Sequence, residues 1–530
     1  MTTRTRIGAR RVTVRTSLGL ALALCLGCAV RKLPPPPPPV GGPGTIGTEV
    51  RDPSEAALAT AHLPASARGV LIAAVEGDGA AAKAGLRIGD LITAVNDTPV
   101  ANACRFEADI LSREGGREVR LAFRRGERSL EKRVRLDNAL TFYTRACQAG
   151  RGRGCYRLGV LHALGKGMPQ DTARAVQLYE EACRLASADG CAAAGHARLE
   201  GTVAEKDEAA ALALFTRACD GGSAAGCAHL AFLYATGTEA AGNDDRKATL
   251  LYEKSCEGGD AKGCYNVGLM YEKGRGVPQD AARARAAYTR ACDGGSSLGC
   301  TNLAFLYERG NGVTPDEPRA AALYERACEG GGCDSGDPKG CHNLGILLRT
   351  GRGVARNPER AAVLYERACE AREATACANL GTLYGAGEGV PKDEARAAHL
   401  YARACDLGEP LGCYDLAVVY GSGAGVPQDD ARAAHLYQQA CEGGDAVGCL
   451  DLGVMSLNGT GVHEDPERAA SLFRSACDGA EPKGCLNLGR LYEDGKGVTQ
   501  DTATALGLYQ KACSLGHTRA CEEAARLSRS

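Results

Sequence analysis

Cysteine is the residue type with the widest chemical reach in this 530-residue chain, because thiolates ligate metals, exchange disulfides and attack carbonyls, and 26 are present. Twenty-two fall into eleven couples: Cys147 with Cys155, Cys183 with Cys191, Cys219 with Cys227, Cys256 with Cys264, Cys292 with Cys300, Cys328 with Cys341, Cys369 with Cys377, Cys405 with Cys413, Cys441 with Cys449, Cys477 with Cys485 and Cys513 with Cys521. Ten couples are eight residues apart, and their first members recur every 36 residues apart from one step of 37 and one of 41. Metal ligation would ask for the short Cys-x-x-Cys spacing or for a histidine recurring beside each couple, and neither accompanies them. If bridges joined the two halves of one period, Cys147 and Cys521 would be orphaned; if they close the couples themselves, all twenty-two are used. Disulfides are therefore expected, each closing a nine-residue loop worth about 2.5 kcal/mol in the chain-entropy model. Such a chain must fold in an oxidising compartment. Cys104 and Cys333 are left over, and Cys333, in the five-residue insertion behind the long step, could compete for Cys328 or Cys341.

Strings that spell catalytic motifs fail on context. Ser129-Leu130-Glu131-Lys132 reads SxxK but falls in an expected strand, where positions i and i+3 face opposite ways. The run Cys333 to Pro338 echoes a serine-protease nucleophile loop, with no histidine and aspartate arranged around it. Gly421-Ser422-Gly423-Ala424-Gly425 is a loop of the period, and His399 and His435, 36 residues apart, are expected on solvated surface. No HExxH or P-loop string occurs, so no catalytic residue, cofactor or metal site is expected. A polar series is more suggestive. Two residues after the second cysteine of a couple stand Asn266, Asn302, Asn343, Asn379 and Asn487, with Asp415 and Asp451 in two further periods and Arg157, Ala193 and His229 in the others. An amide offers both a donor and an acceptor, as an extended peptide backbone requires. Such a ladder could hold a peptide; equally, each amide could bond within its own period.

The elements carrying these residues follow from hydrophobic spacing. Between Cys264 and Cys292, Val267, Met270 and Tyr271 recur at helical spacing, Gly274 to Pro278 breaks the helix, Asp280 offers an N-cap, and Ala284, Ala287, Tyr288 and Ala291 mark a second stripe. An aromatic stands four residues before the first cysteine of every couple, from Tyr143 to Tyr509, and is expected to pack between helices. A 36-residue helix pair with a GxGV loop and an AC...GC junction resembles the Sel-1-like repeat, a relative of the tetratricopeptide repeat. The resemblance covers residues 137–530 and implies an all-α right-handed superhelical solenoid of about ten helix pairs, whose concave face binds extended partners.

Residues 43–136 read differently, with short β-rich runs at Val70 to Ile72, Leu91 to Val95 and Val119 to Phe123 and one helical stretch at Phe106 to Ser112. The wording GVLIAAVEGDGAAAKAGLRIGDLITAVNDTPV, residues 69–100, resembles PDZ domains of the bacterial high-temperature-requirement (HtrA-type) proteases. That family implies a small α+β fold with a groove for protein C-termini: Thr45, Ile46, Gly47 and Thr48 stand where its carboxylate-binding loop lies, and Phe106, Ile110 and Leu111 would line the groove. Thr45 departs from the usual aromatic there. The plainer alternative is a PDZ unit whose groove is lost and which only packs on its neighbour.

Ahead of these lies a basic stretch, Arg4 to Arg15, an apolar run Leu18 to Leu26 too short to span a bilayer, and Gly27-Cys28. Residues 1–28 resemble a lipoprotein signal with Cys28 as the lipidated residue, and residues 29–42, with Pro34 to Pro39 unbroken, are a polyproline II spacer. Location in the cell envelope, lipid-anchored at the outer membrane or periplasm, or else secretion, is expected. A net charge of −1 removes any global case for nucleic-acid binding. The expected function is a non-enzymatic adaptor binding proteins and peptides through groove and concave face. The alternative is penicillin-binding or β-lactamase activity, described for cysteine-rich Sel-1-like proteins.

Overall fold

The computed structural model describes residues 44–529 except 54, 65–66, 101, 204 and 331–335. The signal, the spacer, Cys28 and Cys333 lie outside the described residues, as does the side chain of Cys104. Two compact units are formed: the first runs to Leu306 and adds 310–314 and 329–336, and the second holds 307–309, 315–328 and everything from Asp337 onward.

The first unit opens with the β-rich domain. Its elements are β1 (Gly44–Thr45), β2 (Thr48–Arg51), α1 (Glu55–Thr60), β3 (Val70–Val75), α2 (Ala80–Lys83), β4 (Leu91–Val95), β5 (Thr98–Pro99), α3 (Ala103–Ser112), β6 (Glu118–Arg125), β7 (Arg128–Arg135) and β8 (Asp137–Asn138). An antiparallel sheet runs β2-β3-β4-β6-β7 with β5 on β4, while β1 pairs with β8. β6 alternates as a half-buried strand must, hiding Val119, Leu121 and Phe123 and exposing Glu118 and Arg120. Asn96 and Asp97 take positive φ values of 47° and 69°, which gives the tight β4–β5 turn the twist a hairpin needs. Phe106 and Ile110 of α3 join Ile72, Ile92 and Phe123 in one core. Asn102 caps α3 by accepting the Arg105 amide at 2.9 Å.

No linker separates this domain from the helices. β8 passes directly into α4 (Ala139–Gln148), which Asn138 caps, and Asp137 also accepts the Ala80 amide of α2 at 2.7 Å. From α4 to Leu527 the described chain is a succession of helices, most of them 13 residues long, beginning with α5 (Gly152–Leu164). The expected caps are in place. Asp280 accepts the Arg283 amide at the start of Ala281–Asp293, and Gly274 ends Ala261–Lys273 in the left-handed conformation.

The AC...GC junction has a steric origin. A Cβ built on Gly299 would sit 2.6 Å from the Ala291 Cβ, so only glycine lets the incoming helix approach the outgoing one closely enough to juxtapose Cys292 and Cys300. All eleven couples are bridged, with Cα separations of 4.4–4.7 Å. Cys328 joins Cys341 across the insertion. A second device, not anticipated from sequence, ties successive turns. Arg217, Arg290 and Arg403 donate to the carbonyls of Cys183, Cys256 and Cys369 at 2.6–2.8 Å, a second bond to carbonyls at the end of the corresponding helix one period earlier. The aromatic layer is buried as expected at Tyr179, Phe215, Tyr252, Tyr288, Tyr324, Tyr365, Tyr401, Phe473 and Tyr509, whereas Tyr143 and Tyr437 are only half-buried.

Candidate peptide-binding cleft

Between β2 and α3 lies a narrow, largely filled cleft. Its lining brings together every groove residue expected from sequence except Gly47: Thr45, Ile46, Thr48, Phe106, Ile110 and Leu111. Gly47 lies in the loop beside it with φ at 69°, a left-handed conformation that glycine adopts without penalty. The loop carbonyls turn back into the domain, Ile46 accepting the Ala81 amide at 2.8 Å and Gly47 that of Glu76 at 2.9 Å. The Gly47 amide donates to the Thr45 hydroxyl at 3.2 Å. Thr45, where the family pattern has an aromatic, thus gives the loop an internal acceptor.

The far wall of the cleft comes from the helices. Tyr143 of α4 and Arg157, Val160 and Leu161 of α5 complete the lining. The Tyr143 and Thr45 hydroxyls hydrogen-bond at 2.9 Å, and burial pushes the Tyr143 phenol up. Phe142, itself buried, stands against Gly47: a Cβ there would lie 3.1 Å from its ring tip. Three arginines of α5 and the residue before it reach the β-rich domain. Arg151 binds Asp78 at 2.9 Å and Glu76 at 3.3 Å, Arg153 pairs with Glu49 of β2, and Arg157 holds Glu107 of α3 through two bonds of 2.7 and 2.8 Å. Burial works against the Arg157 charge, yet Glu107 keeps its pKa well above the ordinary value. The Arg151 bond holds the Asp78 carboxyl low. Beside Glu107, Asp52 accepts the Ala103 amide at 2.7 Å, and burial, against that bond, pushes its carboxyl up to about 7.

Along the helices the polar series occupies one register and is half-buried throughout. In the first unit Asn302 bonds the Tyr288 hydroxyl. In the second, Asn343 bonds the Tyr324 hydroxyl, Asn379 lies 2.8 Å from the His342 ring, and Asp451 bonds the Tyr414 hydroxyl. Burial, then Asp445, lifts the Asp415 carboxyl to about 6. These four members are therefore engaged within the molecule, each with donor or acceptor capacity to spare. Asn266 and Asn487 occupy the same half-buried register. Arg157, at this register in the first helix pair, is the member that grips the β-rich domain.

The remaining sequence candidates do not converge. Ser129 and Lys132 lie exposed on β7, opposite Arg124 and Leu121 respectively. His399 and His435 are exposed, and Ser422 ends a helix that Gly423 caps. Among the described residues no group of three or more His, Cys, Asp or Glu is placed to hold a metal ion, and no helix is long and apolar enough to cross a membrane. Sequence reasoning missed a histidine pair in neighbouring first helices, His196 buried and His229 half-buried. His196 and His229 have ring centroids 5.3 Å apart, and His196 Nδ1 and His229 Nε2 find no partner among the described residues.

Comparison with known proteins agrees with this architecture. The PDZ domain family model matches residues 44–136, and the Sel1 repeat model matches ten stretches from 152–187 to 482–517. A Sel1 repeat protein from Oxalobacter formigenes is 25% identical with a TM-score of 0.50, over 60% of this chain and 90% of that one. A protective antigen of uropathogenic Escherichia coli displaying an SLR fold is 22% identical with a TM-score of 0.47, over 74% and 90%. An HtrA-type protease, AlgW, solved with a decapeptide, is 22% identical over 18% of this chain and 29% of that one, with a TM-score of 0.17. No protein of curated function matches the chain.

Proposed function

The chain belongs to the Sel1 repeat family, with a PDZ domain ahead of its repeats, and from that premise we propose that it is an envelope adaptor that captures peptides. Both kinds of domain mediate protein–protein interaction and typically serve as scaffolds without catalysis. Eleven bridges fit an oxidising, extracytoplasmic setting. In this reading the cleft between β2 and α3 takes a protein C-terminus, whose carboxylate competes with the Thr45 hydroxyl for the Gly47 amide while its backbone extends the sheet at β2. The Asn and Asp register, within each unit by itself, is a second face for extended peptide. Lipidation of Cys28 would hold the molecule at a membrane, with the proline run as its spacer.

One observation carries the proposal. Arg157, which stands at the ladder register, holds Glu107 of the β-rich domain's α3 with a two-point bond, and this supports reading the register as a polar binding face. Photoreactive C-terminal peptides incubated with the whole protein test this. Cross-links are expected on Ile110, Leu111 and the half-buried positions of the first helices, and cross-links confined to the opposite, second helices would contradict it. A chromogenic β-lactam is expected to stay intact in the same preparation.

A further inference from the structure

The groove predicted to receive a peptide already has a neighbour across it. α5 carries Arg153 and Arg157 one helical turn apart, the first paired with Glu49 of β2 and the second held two-point by Glu107 of α3. β2 and α3 are the two banks between which a PDZ ligand lies, so α5 is strapped to both. Arg151 fastens the helix start to Asp78 and Glu76, at the loop before α2. Tyr143 and Phe142 close the carboxylate-loop end by touching Thr45 and Gly47. Arg157 and Glu107 are each one-fifth exposed, which leaves them less screened than a surface pair.

We propose that α4 and α5 form a built-in latch on the PDZ groove, and that a partner opens it by offering acidic side chains to Arg151, Arg153 and Arg157 while its C-terminus enters the cleft. The proposal rests on the groove being a peptide site, as argued above. It adds that the site is narrowed by α4 and α5 at rest and that its partner is acidic near its terminus. Acidic residues on the ligand would replace Glu49 and Glu107 as the arginines' partners, so the charge pairs are exchanged instead of lost. Opening therefore costs less for such a ligand than for a neutral one. The first repeat is then part of the recognition surface, and specificity comes from α5 as well as from the groove.

The test uses the whole protein and two variants that cut the same pairs from opposite sides, Arg153→Ala with Arg157→Ala, and Glu49→Gln with Glu107→Gln. Hydrogen exchange reads the latch, and titration with free-carboxylate peptides, neutral or acidic near the end, reads the groove. Both variants are expected to exchange at least tenfold faster at the β2 and α3 amides. The glutamine variant, which keeps its arginines, is expected to bind acidic peptides at least tenfold tighter than the wild type, and the wild type to prefer acidic over neutral ones. Unchanged exchange with tight binding to the wild type would overturn the latch and leave peptide capture standing. Faster exchange without peptide binding in any of the three proteins would keep the latch and overturn capture. If one variant does not fold, the other reads the same two pairs.

Discussion

Gly268 faces Tyr288, and a Cβ built there would lie 2.5 Å from Cε1 of a ring that is fully buried and has no room to retreat. Gly268→Ala is expected to cost about 1–3 kcal/mol by overpacking, read as a lower denaturation midpoint. An unchanged midpoint would mean that the aromatic layer tolerates an added methyl and packs more loosely than drawn. At the PDZ junction, Arg157→Ala leaves Glu107 part-buried without its partner. A loss of about 2 kcal/mol is expected for the first unit, with Arg157→Lys intermediate because it keeps the charge but not the two-point geometry. Calorimetry on the two variants checks the order. The glycines and aromatics were legible in the sequence because each recurs with the period and so announces a shared steric need. Arg151 and Arg153 were not, and Arg157 stood out only as a departure from the Asn and Asp series. They occur once as a set, and three arginines near a helix start look like ordinary solvated charge until β2 and α3 are placed beside them.

At the scale of the element, the disulfide joins the end of one helix pair to the start of the next. Replacing Cys292 and Cys300 together by serine is expected to cost about 2.5 kcal/mol, the entropy of one nine-residue loop, and to lower the denaturant midpoint accordingly. Loss of only a few tenths would show that Gly299 and the capped helices already hold the junction. Two neighbouring first helices carry a different sensitivity. Burial depresses His229 to about 3, with His196 and Lys262 adding to the effect. His196 is lowered by burial against the pull of Glu200, with Lys262 again opposing its charge. The unfolded chain, titrating near 6.5, binds more protons than the folded one as pH falls, so stability present above that value is lost below it. His229 alone accounts for about 1–2 kcal/mol by pH 5.5. Denaturation measured between pH 8 and 5 is expected to show this slope in the wild type and a flatter one in His229→Phe; equal slopes would remove the pair as its source. Helices, caps and bridges were readable because they depend on residues within one period, and the 36-residue spacing repeats the evidence. The histidine pair was not, since it joins different registers of adjacent helices, five and two residues after their cysteines.

At the scale of the whole molecule, a PDZ domain passes without a linker into helices that carry ten Sel1 repeats, two kinds of domain that mediate protein–protein interaction. The groove-lining set was legible through family resemblance, and the fold brings it together. Packing of the domain on its neighbour was foreseen as the plainer alternative, but not that α4 and α5 do it across the groove, because that depends on how β8 runs into α4, where Asp137 bonds Ala80 and Asn138 bonds Thr141. The most direct measurement is equilibrium binding of peptide pairs that differ only in a free or amidated C-terminus to the whole protein. A preference of tenfold or more for the free carboxylate is expected, strongest for peptides acidic near that end. Equal affinity for both members of each pair, or no binding to either, would contradict peptide capture by the PDZ cleft.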